Sequence, residues 1–175
     1  LNAIVRRVEG WDLSAVGTED IAAAVARAYR QARKRGSLAF EGDDPVALHA
    51  FRARVVDLRY QLSLLSCAWP EALNAQAQAL NDLREALGDF NDLHVLESFA
   101  AEHGDLPQEA LENLGARIAA KQHKLRRRAH VEFERLFAET PNAFATRIAA
   151  YLSHPMTEPV VAAEESGAAK AASAA

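Results

Sequence analysis

Arginine and histidine recur at helical spacing in one short stretch, LHAFRARVVDLRYQLSLL at residues 48–65. At 100° per residue, Phe51, Val55, Leu58, Leu62 and Leu65 share one side and make a core-facing stripe. His49, Arg52, Val56, Arg59 and Ser63 form a second column at its edge. Two guanidinium groups at the rim of a core require an anion. That anion is either an internal Asp or Glu or a bound ligand. Two further stretches repeat the design. Arg27, Arg30, Arg33 and Lys34 flank the apolar side formed by Ile21, Ala22, Val25, Tyr29 and Ala32. Arg117, Lys121, Lys124, Arg128 and Arg135 fall within about 60° of one another on a later helix. Three such stripes meeting in one groove would suit phosphate oxygens, because Arg binds them bidentately and Lys supplies a point charge.

A blander reading competes. Basic side chains beside a core stripe also arise when their stems lie over apolar surface. The 24 acids can pair with the 20 bases. For His49, a satisfied structural histidine is the alternative to a ligand. Asn91 and Asp92, beside Gly88 and Asp89, are poor helix formers inside a helical pattern. Asp92 either holds an arginine of the groove in position or, with Asn91, supports a bend or buried cap. No HExxH, Cys/His cluster, Walker motif, GxGxxG or GxSxG is present. No nucleophile stands with a base, so no catalytic residue, metal ligand or cofactor site is expected.

The elements that must position these residues are helices. Half of the 175 residues are hydrophobic, many of them alanine, and charged residues make up 25%, a pattern of an all-α protein. The net charge of −4 gives no global field for polyanions, so anion binding must come from local clustering. Cys67 is the only cysteine, which excludes an intrachain disulfide and fits a reducing cytosol. No apolar run reaches the roughly 18 residues of a membrane span.

Residues 1–17 predict a short helix and a turn, with Trp11 and Leu13 plugged into the bundle. A helix follows from Glu19 to Arg35, with Thr18 as N-cap and Gly36 as stop. Asp44-Pro45 opens the next, which ends near Trp69-Pro70. Another runs from Glu71 to Glu102. Pro107 starts a fourth, whose predicted core stripe is Leu111, Leu114, Ile118, Leu125, Ala129 and Leu136. Thr140-Pro141 starts a last one carrying Phe144, Ile148 and Tyr151. The fold expected is an antiparallel up-and-down bundle of four to five helices over 1–154. Residues 155–175, rich in Ala and Glu, are expected to be disordered.

Taken in order, these motifs resemble the C-terminal repeat of CHAD domains, the conserved histidine α-helical domain family. His49–Arg52 matches its H-x-x-R helix and Asp57–Tyr60 its D-L-R-Y segment. Leu87–Leu96 matches L-G-x-x-N-D-L-x-V-L, and Arg27–Arg33 matches R-x-Y-R-x-x-R. Phe137–Phe144 is similar to the family's closing segment. The resemblance spans about residues 1–153. It implies one half of a two-bundle domain, without enzymatic activity, that binds inorganic polyphosphate in a basic groove and is directed to polyphosphate granules in the cytoplasm. By this resemblance His49, Arg52, Arg59, Arg27, Arg30 and Arg33 are binding residues, and Lys121, Lys124 and Arg128 belong to a more loosely matched late helix. Lys34 joins them from the stripe alone. The expected partners are polyphosphate, a second copy or an N-terminal half-domain, and an associated triphosphate tunnel enzyme domain of the CYTH type. Neither membrane nor nucleic acid is expected, since no aromatics interleave with the basic stripes. Ala53 and Val56 stand where the family often has lysine, and no second H-x-x-R helix lies between Leu1 and His49. Both departures motivate the alternative of a helical interaction or scaffold module with reduced polyanion binding.

Overall fold

In the computed structural model the described residues are 10, 12, 14–42, 44–103 and 107–154. They form five α-helices: α1 Thr18–Glu41, α2 Pro45–Leu64, α3 Pro70–His103, α4 Gln108–Leu136 and α5 Pro141–Ser153. A 3-10 turn, Ser66–Ala68, links α2 to α3. Among the described residues there is no strand, and no helix is long and apolar enough to cross a membrane. The all-α bundle is as expected. The predicted N-terminal helix, Trp11, Leu13 and the 155–175 tail lie outside the described residues.

Local chemistry fixes most of the starts. The Asp44 carboxylate accepts from Val46 N at 2.9 Å ahead of Pro45, and the Thr140 hydroxyl accepts from Ala143 N at 3.2 Å ahead of Pro141. Each side chain satisfies one of the amides that a helix start leaves without a partner. The start of α1 differs from expectation. Its N-cap is Gly17, whose N–H donates to Asp20 Oδ2 at 3.0 Å while its carbonyl accepts from Asp20 N at 3.1 Å, so no side chain takes the capping role expected of Thr18.

Gly36 does not stop α1. The helix continues to Glu41, and Gly36 is buried in its interior. A Cβ there would lie 2.2 Å from the Phe133 ring of α4. The glycine is used for close approach, and the extension follows from packing. At the new end, Arg126 of α4 reaches the carbonyls of Ala39, Phe40 and Gly42, closing acceptors that the helix itself cannot satisfy.

Helix α1 packs on α2 and α5, α2 on α3, α3 on α4, and the C-terminal part of α4 closes back on α1. The core runs along this ring through Tyr29, Phe51, Leu58, Leu62, Leu73, Leu80, Leu83, Phe144 and Ile148. On α4 the buried residues are Ile118, Ala129 and Phe133, with Phe137 just beyond, while the expected Leu111, Leu114, Leu125 and Leu136 are only half-buried. The stripe drifts over a 29-residue helix whose two halves meet different neighbours. Phe133 and Phe137 join Phe40 and Phe51 in an aromatic cluster with centroids 5.3–6.0 Å apart. Near one end of this core, the Tyr29 hydroxyl donates to Glu139 O at 3.1 Å. Arg147 clasps the Glu139 carboxylate with two bonds, 3.0 and 2.9 Å long.

Candidate functional site

Two arginines of α2 stand apart from the other cations. Arg52 and Arg59 are half-buried, and the Nε of each is sealed from solvent without a hydrogen-bond partner. Neither forms an ion pair among the described residues. Other arginines of the bundle do: Arg54 with Asp57 at 2.9 Å, Arg84 with Glu85 at 3.1 Å, Arg128 with Glu132 at 3.6 Å and Arg147 with Glu139 at 2.9 Å. Among the described residues, then, no carboxylate meets Arg52 or Arg59 of the α2 column. A buried donor without a partner costs about 1–3 kcal/mol, more when charged, so an acceptor that reached these groups would be favoured.

The surroundings position both side chains. The Arg52 guanidinium lies over Gly88 of α3, where an added Cβ would sit 3.5 Å from Nε and 3.7 Å from Nη2. The two motifs that first drew attention, one on α2 and one on α3, thus meet at a guanidinium on a bare stretch of backbone. Arg59 lies over the ring of Tyr60, 4.2 Å from its centroid, a cation–π contact that holds the guanidinium in place. Val56 is half-buried between them, and His49 is exposed at the head of the column.

Sequence reasoning missed Arg84. It is half-buried on α3, one turn before Gly88, with Nε donating to Asn81 Oδ1 at 3.2 Å. The antiparallel register that sets Arg52 against Gly88 brings Arg59, two turns further along α2, to the Asn81–Arg84 stretch. The spacing of Arg84 four residues before the glycine was the available signal. It was obscured because Arg84 falls among the core leucines 80, 83 and 87.

The other expected residues do not converge here. Arg27 lines a crevice on the opposite flank of α2, between α1 and α2, with Gln31, Arg54, Asp57 and Gln61. Arg33 is half-buried, and its charge acts on the Tyr29 hydroxyl near Glu139 and Arg147. Arg30 and Lys34 are exposed on α1. Lys121 and Lys124 are exposed on α4, and Arg128 is already paired with Glu132. The three basic stripes are thus spread over different faces, with Arg52 and Arg59 beside α3 and the remaining cations elsewhere. Asn91 is half-buried, and Asp92 is exposed. Asp92 forms no ion pair among the described residues, so it holds no arginine of the column. Among the described residues no group of three or more His, Cys, Asp or Glu is placed to hold a metal ion.

Comparison with known proteins adds one result. A family model described as the CHAD domain matches residues 9–101, which contain α1, α2 and nearly all of α3. Arg52, Arg59, Arg84 and Gly88 lie inside the match, and Lys121, Lys124 and Arg128 lie outside it. No curated protein and no solved structure matches the chain.

Proposed function

The chain belongs to the CHAD domain family, and on that premise we propose that it is a non-catalytic module that binds inorganic polyphosphate along the α2–α3 seam. The family is a binding family associated with polyphosphate. The observation that carries the assignment is the pair of half-buried, unpaired guanidinium groups of Arg52 and Arg59. Phosphate oxygens supply the acceptors these groups lack, and a linear chain of phosphates follows a column of donors that runs along a helix. Arg84 extends the positive edge at one end, and the exposed His49 imidazole stands at the other. At Arg52 and Arg59 such a chain displaces no ion pair made among the described residues, whereas at Arg84 it shares the guanidinium with Glu85. Recruitment to polyphosphate granules is the cellular role that this reading implies.

Titration of the purified chain with long-chain polyphosphate at two salt concentrations tests it. Binding is expected to weaken steeply with salt, by analogy with nucleic-acid polyanions. Arg52→Gln with Arg59→Gln should weaken it by at least about tenfold, the scale of one lost charge-assisted bond. Arg54→Gln, whose ion pair lies on the other flank of α2, should leave it unchanged. Equal binding by the double variant and the parent would overturn the site.

Val56, apolar at the centre of the column, favours the second reading, an interaction module with reduced polyanion affinity. Under that reading the parent chain fails to bind at about 0.15 M salt, where exposed charges are largely screened, while Val56→Lys restores binding.

A further inference from the structure

Three guanidinium groups share the α2–α3 seam, and one carboxylate comes with them. Arg52 and Arg59 form no ion pair among the described residues, whereas Arg84 is held by Glu85, its neighbour on α3. The hold is a closed ring of three side chains. Arg84 Nη2 donates to Glu85 Oε1 at 3.1 Å, Asn81 Nδ2 donates to the same oxygen at 2.9 Å, and Arg84 Nε donates to Asn81 Oδ1 at 3.2 Å. Asn81 stands one turn before Glu85, at the i, i+4 spacing that makes two helical side chains neighbours.

The two ends of this ion pair differ in their contact with water. The Arg84 side chain is 29% exposed and that of Glu85 58%. A pair this open is worth no more than about fivefold in an equilibrium constant. If released, Glu85 keeps its bond from Asn81 and meets water, so no charge is stranded in the interior. Arg84 has the opposite need. Largely withdrawn from water, its guanidinium requires an acceptor at all times. Arg84 also lies one turn before Gly88, the residue under the Arg52 guanidinium. The register of α2 on α3 sets Arg59 beside the Asn81–Arg84 stretch. A phosphate chain held by Arg52 and Arg59 therefore offers its further oxygens to Arg84 at high local concentration.

We propose that Glu85 is the resident counter-ion of this anion site. It occupies Arg84 while the site is empty and yields it to a phosphate oxygen when a polyphosphate chain binds, an inference that rests on the polyphosphate reading above. The Arg84 guanidinium is then never without an acceptor. Engaging it costs the ligand one weak ion pair, a cost absent at Arg52 and Arg59. Asn81 is the positioning residue of the exchange. Its oxygen keeps hold of Arg84 Nε, and its amide keeps Glu85 near enough to return when the ligand leaves.

A double-mutant cycle tests this, with the full chain titrated against long-chain polyphosphate at about 0.1 M salt. Glu85→Gln keeps an acceptor for Asn81 and removes the charge, and it should tighten binding about two- to fivefold. In a chain that already carries Arg84→Gln, only the screened field of Glu85 is removed, so affinity should change by less than about twofold. Asp89→Asn is the control. It removes an equal charge from an exposed residue one turn further along α3, outside the ring. Its effect should be the same whether or not Arg84 is present. Glutamine and asparagine are close in size to the residues they replace, and an unchanged helical spectrum and melting temperature establish that each variant is folded. Equal effects of Glu85→Gln with and without Arg84, or the same coupling from Asp89→Asn, overturn the proposal and leave polyphosphate binding standing. Absence of binding by the parent and by Glu85→Gln alike overturns the polyphosphate reading and this proposal with it.

Discussion

Replacing Gly88 with glutamate separates the stability of the bundle from the chemistry of its site, because the two should move in opposite directions. Gly88 lies inside α3, where glycine is about 0.8–1 kcal/mol worse than a good helix former. The added Cβ falls 3.5 and 3.7 Å from the Arg52 guanidinium, ordinary contact distances, so the first side-chain atom enters without a clash. It also brings a carboxylate to a guanidinium that has none. A hydrogen bond to a charged group contributes about 1.5–3 kcal/mol, and partial exposure of Arg52 argues for the lower end. Gly88→Glu should therefore stabilise the protein by about 1–2 kcal/mol, raising Tm by about 2–4 °C for each. The same carboxylate occupies the donors that the polyphosphate needs. Affinity should fall about tenfold or more, and the slope of log K against log salt should shrink by about one contact. Calorimetric melting and a two-salt titration on the same preparation read both effects. Lower stability would show that α3 needs bare backbone at this position for packing. Unchanged binding would show that Arg52 does not touch the ligand.

Gly36→Ala should act against stability. Its Cβ would meet the Phe133 ring, which is hemmed in by Phe40, Phe51 and Phe137, so overpacking of about 1–3 kcal/mol should outweigh the gain in helix propensity. Denaturant titration checks this, and adding Phe133→Leu should recover part of the loss. Burial and the neighbouring Glu139 carboxylate push the Tyr29 hydroxyl up to about 12 against opposing pulls from Arg33 and Arg147. The unfolded chain loses that proton first, at about 10, so this group's contribution is intact below pH 10 and lost as pH rises towards 12. Tyr29→Phe should flatten that part of the melting profile. Thr140→Ala removes the cap of α5 and should cost about 1 kcal/mol by thermal melting, with no change in polyphosphate binding.

The helix starts at Asp44-Pro45 and Thr140-Pro141 were legible because cap and proline act within a few residues. The column of Arg52 and Arg59 was legible for the same reason, since i, i+7 spacing on one helix needs no knowledge of its neighbours. What the column faces was not. Whether an arginine meets Asp92, Gly88 or solvent depends on the register between α2 and α3, and sequence spacing within one helix carries no register. The dispersal of Arg27 and Arg33 has the same origin, because residues close on the wheel of α1 fall on opposite sides of a neighbour's seam. Gly36 was misjudged because glycine serves both as a helix stop and as a point of close approach, and the residue that decides, Phe133, lies far along the chain.

That last turn of α1 has a consequence for motion. Past Gly36, α1 is held to Glu41 by the ring of Phe133, the guanidinium of Arg126 and the packing of Phe40 on Phe51 of α2. The 36–41 segment should therefore loosen when α4 lifts away and takes its ring and its guanidinium with it. Its opening free energy should be that of α4 leaving α1, not that of local fraying. Amide exchange at residues 38–41 should therefore rise and fall together with exchange around 126–133, reporting one shared opening from two segments almost ninety residues apart in the chain.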